Sequence, residues 1–173
     1  TAGGDAMTQW YVLQVLTGQE EDVQQELERH GYETLLLREM RTIRQRGSWR
    51  EQEYLLMPGY LFVRLELTDE AYYLLNGTAG VIRILSTGGR PSPLEEHEAA
   101  WLQILAEQLG RPSTIQFYDA HTYRVVDGAL RSLERQITGI DRHRRRVRVM
   151  ITIAGHPHRL SLSYCPIKVR ERS

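Results

Sequence analysis

Five arginines and one histidine fall within seven residues at Arg142-His143-Arg144-Arg145-Arg146-Val147-Arg148, with Asp141 the nearest acid. Guanidinium groups at this density suit one kind of chemistry. Each offers a planar fork of N–H donors that matches phosphate oxygens and also lies flat on an unpaired base. Asp141 to Arg145 reads as a hairpin tip, with Arg146 and Arg148 on one face of the strand that follows. Alternate strand residues stand about 6.5–7 Å apart, comparable to successive phosphates along a nucleic-acid backbone. His158 and Arg159 on the next strand can extend the patch. The candidate RNA-binding set is therefore Arg142, His143, Arg144, Arg145, Arg146, Arg148 and Arg159. A plain solvated turn is the alternative, and so many cations with so little acid argue against it.

A second cluster is Arg41, Arg44, Arg46 and Arg50, around Gly47-Ser48 and beside Trp49. Gly47-Ser48 marks a hairpin tip. Cations next to an aromatic platform fit contact with single-stranded nucleic acid; an ordinary charged hairpin fits equally well. Other chemistry finds little support. His143, His156, His158 and Cys165 match no usual zinc spacing. There is no glycine-rich phosphate loop and no nucleophile elbow. No cofactor and no enzymatic activity are expected. Cys165, the single cysteine, rules out an intrachain disulfide framework and points to the cytoplasm.

The charge distribution separates the elements that carry these clusters. The 22 basic and 22 acidic residues cancel. Residues 1–110 hold 9 basic and 17 acidic residues, 9 − 17 = −8, and residues 121–173 hold 12 and 4, 12 − 4 = +8. Two bodies with different partners are expected, joined by a linker at 111–120. Thr1 to Ala6 reads as a tag remnant ahead of Met7. No apolar run approaches the roughly 18 residues of a membrane span, so no membrane partner is expected. In the first body, Trp10 to Leu16 reads as a strand. Thr17-Gly18-Gln19-Glu20 and Ser92-Pro93-Leu94-Glu95 read as capping boxes, the latter with Pro at the first helical position. Val23 and Leu27 mark one helical face, Asp69 to Leu75 a short helix, and Trp101, Ile104 and Leu105 the apolar face of a third. Tyr32 to Met40, Tyr60 to Leu65 and Val81 to Leu85 read as strands. The order β-α-β-hairpin-β-α-β-α predicts an α+β fold, a sheet flanked by helices. After residue 120 the period becomes two: Val147, Val149, Ile151 and Ile153 alternate with polar positions, as do Leu160 and Leu162. This predicts a small all-β barrel of about five short strands.

Trp10-Tyr11-Val12 opening a βα unit, followed by Met57-Pro58-Gly59-Tyr60-Leu61-Phe62-Val63, resembles the N-terminal domain of the NusG family of transcription elongation factors. Val126-Asp127-Gly128-Ala129-Leu130, Ile137-Thr138-Gly139-Ile140-Asp141 and Arg146-Val147-Arg148-Val149 resemble that family's SH3-like KOW barrel. Ser132 and Arg135 stand where the pattern usually has glycines. The run Ile140 to Arg146 is most similar to the LoaP subgroup, whose members are processive antiterminators with an RNA-hairpin-binding KOW domain. The resemblance implies an NGN-type domain at 7–110 that docks on the RNA polymerase clamp helices through Trp10, Met57, Pro58, Tyr60 and Phe62. By pattern alone those residues read first as core, since aromatic strands are usually buried; it is the resemblance that turns Tyr60 and Phe62 outward. It also implies that the Arg41, Arg44, Arg46 and Arg50 hairpin lies near upstream or non-template DNA. The basic domain at 121–173 would hold a nascent RNA hairpin and recruit a monomeric factor to chosen operons. Two alternatives stand beside this: a general NusG elongation factor whose tail meets a ribosomal protein, Rho or other Nus factors, and an RNA-binding module of ribosome assembly.

Overall fold

The computed structural model describes residues 8–167. The tag reading of residues 1–6 lies outside them. Strands and helices follow the order β1 Gln9–Val15, α1 Glu20–Arg29, β2 Glu33–Leu35, β3 Arg38–Gln45, β4 Ser48–Leu55, β5 Tyr60–Leu65 and α2 Asp69–Gly77. Then come β6 Val81–Ile84, β7 Ser86–Thr87, β8 Arg90–Pro91, α3 Glu96–Gln108, β9 Ser113–Phe117 and β10 Tyr123–Asp127. The chain closes with α4 Ala129–Ser132, a 3-10 turn at Glu134–Gln136, β11 Ile137–Asp141, β12 Arg146–Ile153 and β13 His156–Ile167. No helix among the described residues is long and apolar enough to cross a membrane.

Two compact units emerge, and neither is one continuous stretch. Among the described residues, the first comprises 8–37, 57–100 and 152–156; the second comprises 38–56, 101–151 and 157–167. The arginine hairpin, β3 with β4, therefore belongs with the strand-rich second unit, although its sequence position places it in the acidic body.

In the first unit a four-stranded sheet runs β2-β5-β1-β6. The apolar residues of β1 and β5 explain it: Val12, Leu13, Leu61 and Val63 are wholly buried. Helix α1 buries Val23 and Leu27 as its spacing predicts, and Gly31 at φ 83° ends it, donating to the Glu28 carbonyl at 2.9 Å. Its start differs from the expected capping box. Gln19 is the N-cap and makes no side-chain cap bond. Glu20 instead is buried and accepts from the amides of Gly18 and Gly59, the latter at 3.2 Å. The two loop amides are stronger claims on that carboxylate than a reach back to Thr17. Helix α2 is capped by Thr68, which accepts from the Ala71 amide at 3.2 Å. Helix α3 begins at Glu96 rather than at Pro93, because Glu98 reaches back to the Glu95 amide at 2.9 Å. The other Glu98 oxygen accepts from the Ala154 amide at 2.9 Å, which satisfies a buried acid within the first unit. From Trp101 onward α3 belongs to the second unit, where it buries Leu102 and Leu105, followed by Leu109, with Trp101 and Ile104 half-buried at the margin.

The second unit is built on a five-stranded sheet of order β10-β9-β13-β12-β11. Its β9 lies inside the stretch expected to be a linker. Thr114 and Ile115 suit an extended chain, Ile115 is fully buried, and β9 pairs antiparallel with β10 and parallel with β13. The expected pure β barrel also contains a short helix. Gly128, at φ 93°, lets the chain turn into α4, whose Leu130 amide donates to Ser113 Oγ at 3.0 Å. Ala129, Leu130 and Leu133 are buried there, so Ser132 sits in helix rather than in a glycine-like turn.

Candidate nucleic-acid interface

The hairpin of β3 and β4 pairs Gln45 with Ser48, leaving Arg46 and Gly47 as its two turn residues, both at positive φ. This is the backbone that a two-residue hairpin loop requires. Residues on β3 fix the hairpin within the second unit. The Thr42 amide donates to Ser163 Oγ at 2.8 Å, and the two hydroxyls stand 2.7 Å apart. Glu39, almost fully buried, is paired with Arg41 and with Arg146, the latter at 3.3 Å, and accepts from the Ser163 amide at 3.4 Å.

The β11–β12 turn is the other cationic element. Asp141 accepts from the Arg144 amide at 3.0 Å, and that hydrogen bond holds its pKa below the ordinary carboxylate value. Arg145 adopts φ 54° at the end of the turn, and its carbonyl accepts from the Tyr164 amide at 3.1 Å. The seven candidate RNA-binding residues then divide by what holds them. Arg142 stacks 4.0 Å from the Phe117 ring centroid and donates to the Asp119 carbonyl at 2.7 Å. Arg145 lies 3.8 Å over Trp49. Arg146 donates to Ser161 Oγ at 3.0 Å, to the Ser161 carbonyl and to Glu39. Burial lowers the Arg146 pKa, with Glu39 opposing that shift and Arg41 adding to it. His143, Arg144, Arg148 and Arg159 are exposed.

Arg41, Thr42, Ile43, Arg44 and Trp49 of the hairpin line the same groove as Asp141, His143, Arg144, Arg146, Arg148 and Ser161. Its volume is about 650 Å³, within the size range of small-molecule sites. The sequence treats the two arginine clusters as separate; the fold of the second unit brings Arg41 and Arg44 beside Arg144 and Arg148. Arg46 and Arg50 are exposed outside the groove, and Arg50 donates to Gln45 Oε1 at 3.0 Å. Arg159 also lies outside its lining. Among the described residues, no three His, Cys, Asp or Glu side chains gather as a metal site.

The aromatic patch expected on the first unit is largely interior. Phe62 is 1% exposed, Met57 5% and Trp10 8%. Phe62 pairs with Val12 on one side and Leu35 on the other, so its ring belongs to the middle of the sheet. Pro58 is exposed and Tyr60 half-buried. Pro58 lies on the turn that leads into β5 and Tyr60 opens that strand, beside the end of β1, where the Val15 amide donates to the Gly59 carbonyl at 2.8 Å. Leu16, next in the chain, is 48% exposed. The sequence pattern missed Leu16 because it closes an otherwise buried strand.

The chain thus has a sheet-and-helix unit and a strand-rich unit with a guanidinium-lined groove. Residues 8–103 match the family described as Transcription termination factor nusG. The Transcription termination/antitermination protein NusG of Thermus thermophilus is 28% identical, over 92% of this chain and 97% of its own length. Its Vibrio cholerae counterpart is 30% identical, over 90% and 92%. A structure titled "Domain interaction in Thermotoga maritima NusG" shares the fold, with a TM-score of 0.56 at 24% identity, covering 92% of this chain and 96% of that one. The chain belongs to the NusG family, a family of transcription termination/antitermination factors and not of enzymes.

Proposed function

We propose that this chain is a processive antiterminator of the LoaP type. Residues 7–110 bind the clamp helices of RNA polymerase, and residues 121–173, completed by β9, hold a hairpin in the nascent RNA. The mechanism is bridging. A factor bound at both places keeps the clamp closed and opposes pausing and hairpin-driven release. Joining two weak sites in one chain raises the effective concentration of each and yields selectivity for operons that carry the RNA element.

The observation that carries this reading is the β11–β12 turn. Its exposed Arg144 and Arg148 face no free acid on that turn, because Asp141 is engaged by the Arg144 amide. For polymerase contact, Pro58, Tyr60 and Leu16 supply the accessible apolar surface, while Trp10, Met57 and Phe62 support it from within. Exposure of Arg46 and Arg50 on the hairpin supports assigning DNA contact to them.

A second reading, a general elongation factor whose tail meets a ribosomal protein or Rho, draws support from the full-length similarity to termination/antitermination proteins. Transcription in vitro with the purified factor separates the two. Templates with and without a leader hairpin, each ahead of an intrinsic terminator, are compared. Readthrough that rises only on the hairpin template, and is lost with Arg144→Ala plus Arg148→Ala, supports the antiterminator. Equal readthrough on both templates supports the general factor.

A further inference from the structure

The two arginine clusters share one groove, and that has a functional consequence. We propose that the β3–β4 hairpin is a working part of the RNA site: Arg44 and Arg41 contact the same RNA segment as Arg144 and Arg148, with one unpaired base lodged against the Trp49 and Arg145 stack. This rests on the RNA-binding reading above and extends it to residues from the first third of the chain.

Three features of the groove carry it. The first is charge. Arg41, Arg44, Arg144, Arg146 and Arg148 converge on a space of about 650 Å³, against one lining carboxylate, Asp141, which the turn already uses. Arg41 and Arg146 share the buried Glu39, so the charges of Arg44, Arg144 and Arg148 are the ones left for a phosphodiester backbone, which releases condensed counterions on meeting them. The second is an unmet donor. Arg146 is held by Ser161 and Glu39, yet its Nη1 is buried with no hydrogen-bond partner among the described residues. A buried guanidinium donor left unpaired is costly, and Arg146 is among the residues that line the groove. The third is shape. Ile43 and Trp49 give the groove an apolar wall amid the cations. Cations around an aromatic wall suit an unstacked base and its flanking phosphates. Duplex DNA keeps its bases stacked and offers no free base face to the aromatic wall.

Close packing on the neighbouring strand fits the same role. A Cβ on Gly139 would stand 3.0 Å from Arg148 Cζ. Glycine there leaves the space in which the Arg148 guanidinium lies.

The test uses the full chain and a fluorescein-labelled RNA stem-loop with a four-nucleotide unpaired loop. A DNA single strand of the same loop sequence and a fully paired DNA duplex serve as competitors. Arg44→Ala is expected to weaken RNA binding at least five-fold and to reduce the log–log salt slope by about 0.7–0.9, one phosphate contact. Arg46→Ala removes the same charge from the same hairpin outside the groove and is expected to change affinity less than two-fold. Thermal melting of both variants checks that the fold is kept, and Arg44→Lys is expected to recover part of the affinity. Equal loss from Arg44→Ala and Arg46→Ala overturns the proposal in favour of diffuse charge. Loss with Arg144→Ala but not with Arg44→Ala overturns it while leaving RNA binding by the β11–β12 turn intact. An Arg44→Ala defect seen with the DNA duplex and not with the stem-loop overturns it in favour of a DNA-facing hairpin. Absence of RNA binding by the parent chain overturns both readings.

Discussion

The Arg145 guanidinium lies over the Trp49 ring, 3.8 Å from its centroid, although the two residues are far apart in sequence. The stack joins the β11–β12 turn to the strand that leaves the arginine hairpin. Cation–π pairs of this kind contribute about 0.5–2 kcal/mol, more when desolvated, and Trp49 is half-buried. Trp49→Ala is expected to cost about 1–2 kcal/mol by urea unfolding, and Trp49→Phe less. An unchanged midpoint for Trp49→Ala would show that the stack contributes nothing.

Glu39 sits at the centre of a more demanding arrangement. It is 2% exposed, while the side chains of its partners Arg41 and Arg146 are 25% and 15% exposed. Removing one member of a buried ion pair leaves an uncompensated charge and costs about 3–5 kcal/mol. The partial exposure of both arginines puts Glu39→Gln near the lower end. Replacing Glu39 and Arg146 together by Met is expected to recover most of the loss. A double variant no more stable than Glu39→Gln would contradict that account.

Phe62 and Tyr60 are expected to separate cleanly. Phe62→Ala opens a cavity in the sheet and is expected to cost about 3–5 kcal/mol. Tyr60→Ala, at a half-buried site, is expected to keep the fold and weaken polymerase binding. Calorimetry read beside a polymerase pull-down decides the point. Phe62→Ala melting at the parent temperature would place its ring outside the core.

Asp141 gives the β11–β12 turn a pH dependence. Its pKa lies below the ordinary 3.8, chiefly through the Arg144 amide hydrogen bond. A depressed carboxylate stabilises the folded form above the unfolded pKa, and that contribution is lost as pH falls through the folded value. The turn is therefore expected to hold at neutral pH and to loosen only below about pH 4. The protection of the Arg144 amide, its exchange rate set against the intrinsic rate at the same pH, should fall over that range, and Asp141→Asn should abolish that fall. Arg144 protection with the same acid response in Asp141→Asn would remove Asp141 from the explanation.

Much of this fold was legible from spacing. Val23 with Leu27, the Gly31 helix stop and the alternation of Val147, Val149, Ile151 and Ile153 lie where period and turn chemistry put them. The misses share a physical cause, competition from distant partners. Glu20 left its expected cap for the Gly59 amide, and the Ser113–Phe117 stretch, polar and preceded by Pro112, became a strand only through β10 and β13. Phe62 reads as core by its pattern and as surface only by resemblance, and Val12 and Leu35 enclose it as the pattern has it. The groove itself was out of reach, because the Thr42–Ser163 bonds that place one cluster beside the other join residues 121 positions apart.

The parallel pairing of β9 with β13 sets a timetable for the newborn chain. Ser113 waits for Tyr164, its register partner about fifty residues later. At about 5–20 residues per second, β9 stands for several seconds with one hydrogen-bonding edge open after β10 has covered the other. The cationic groove, which Ser161 of β13 helps to line, cannot assemble before β13 leaves the ribosome. The sheet of the first unit, by contrast, already has all four strands by Ile84.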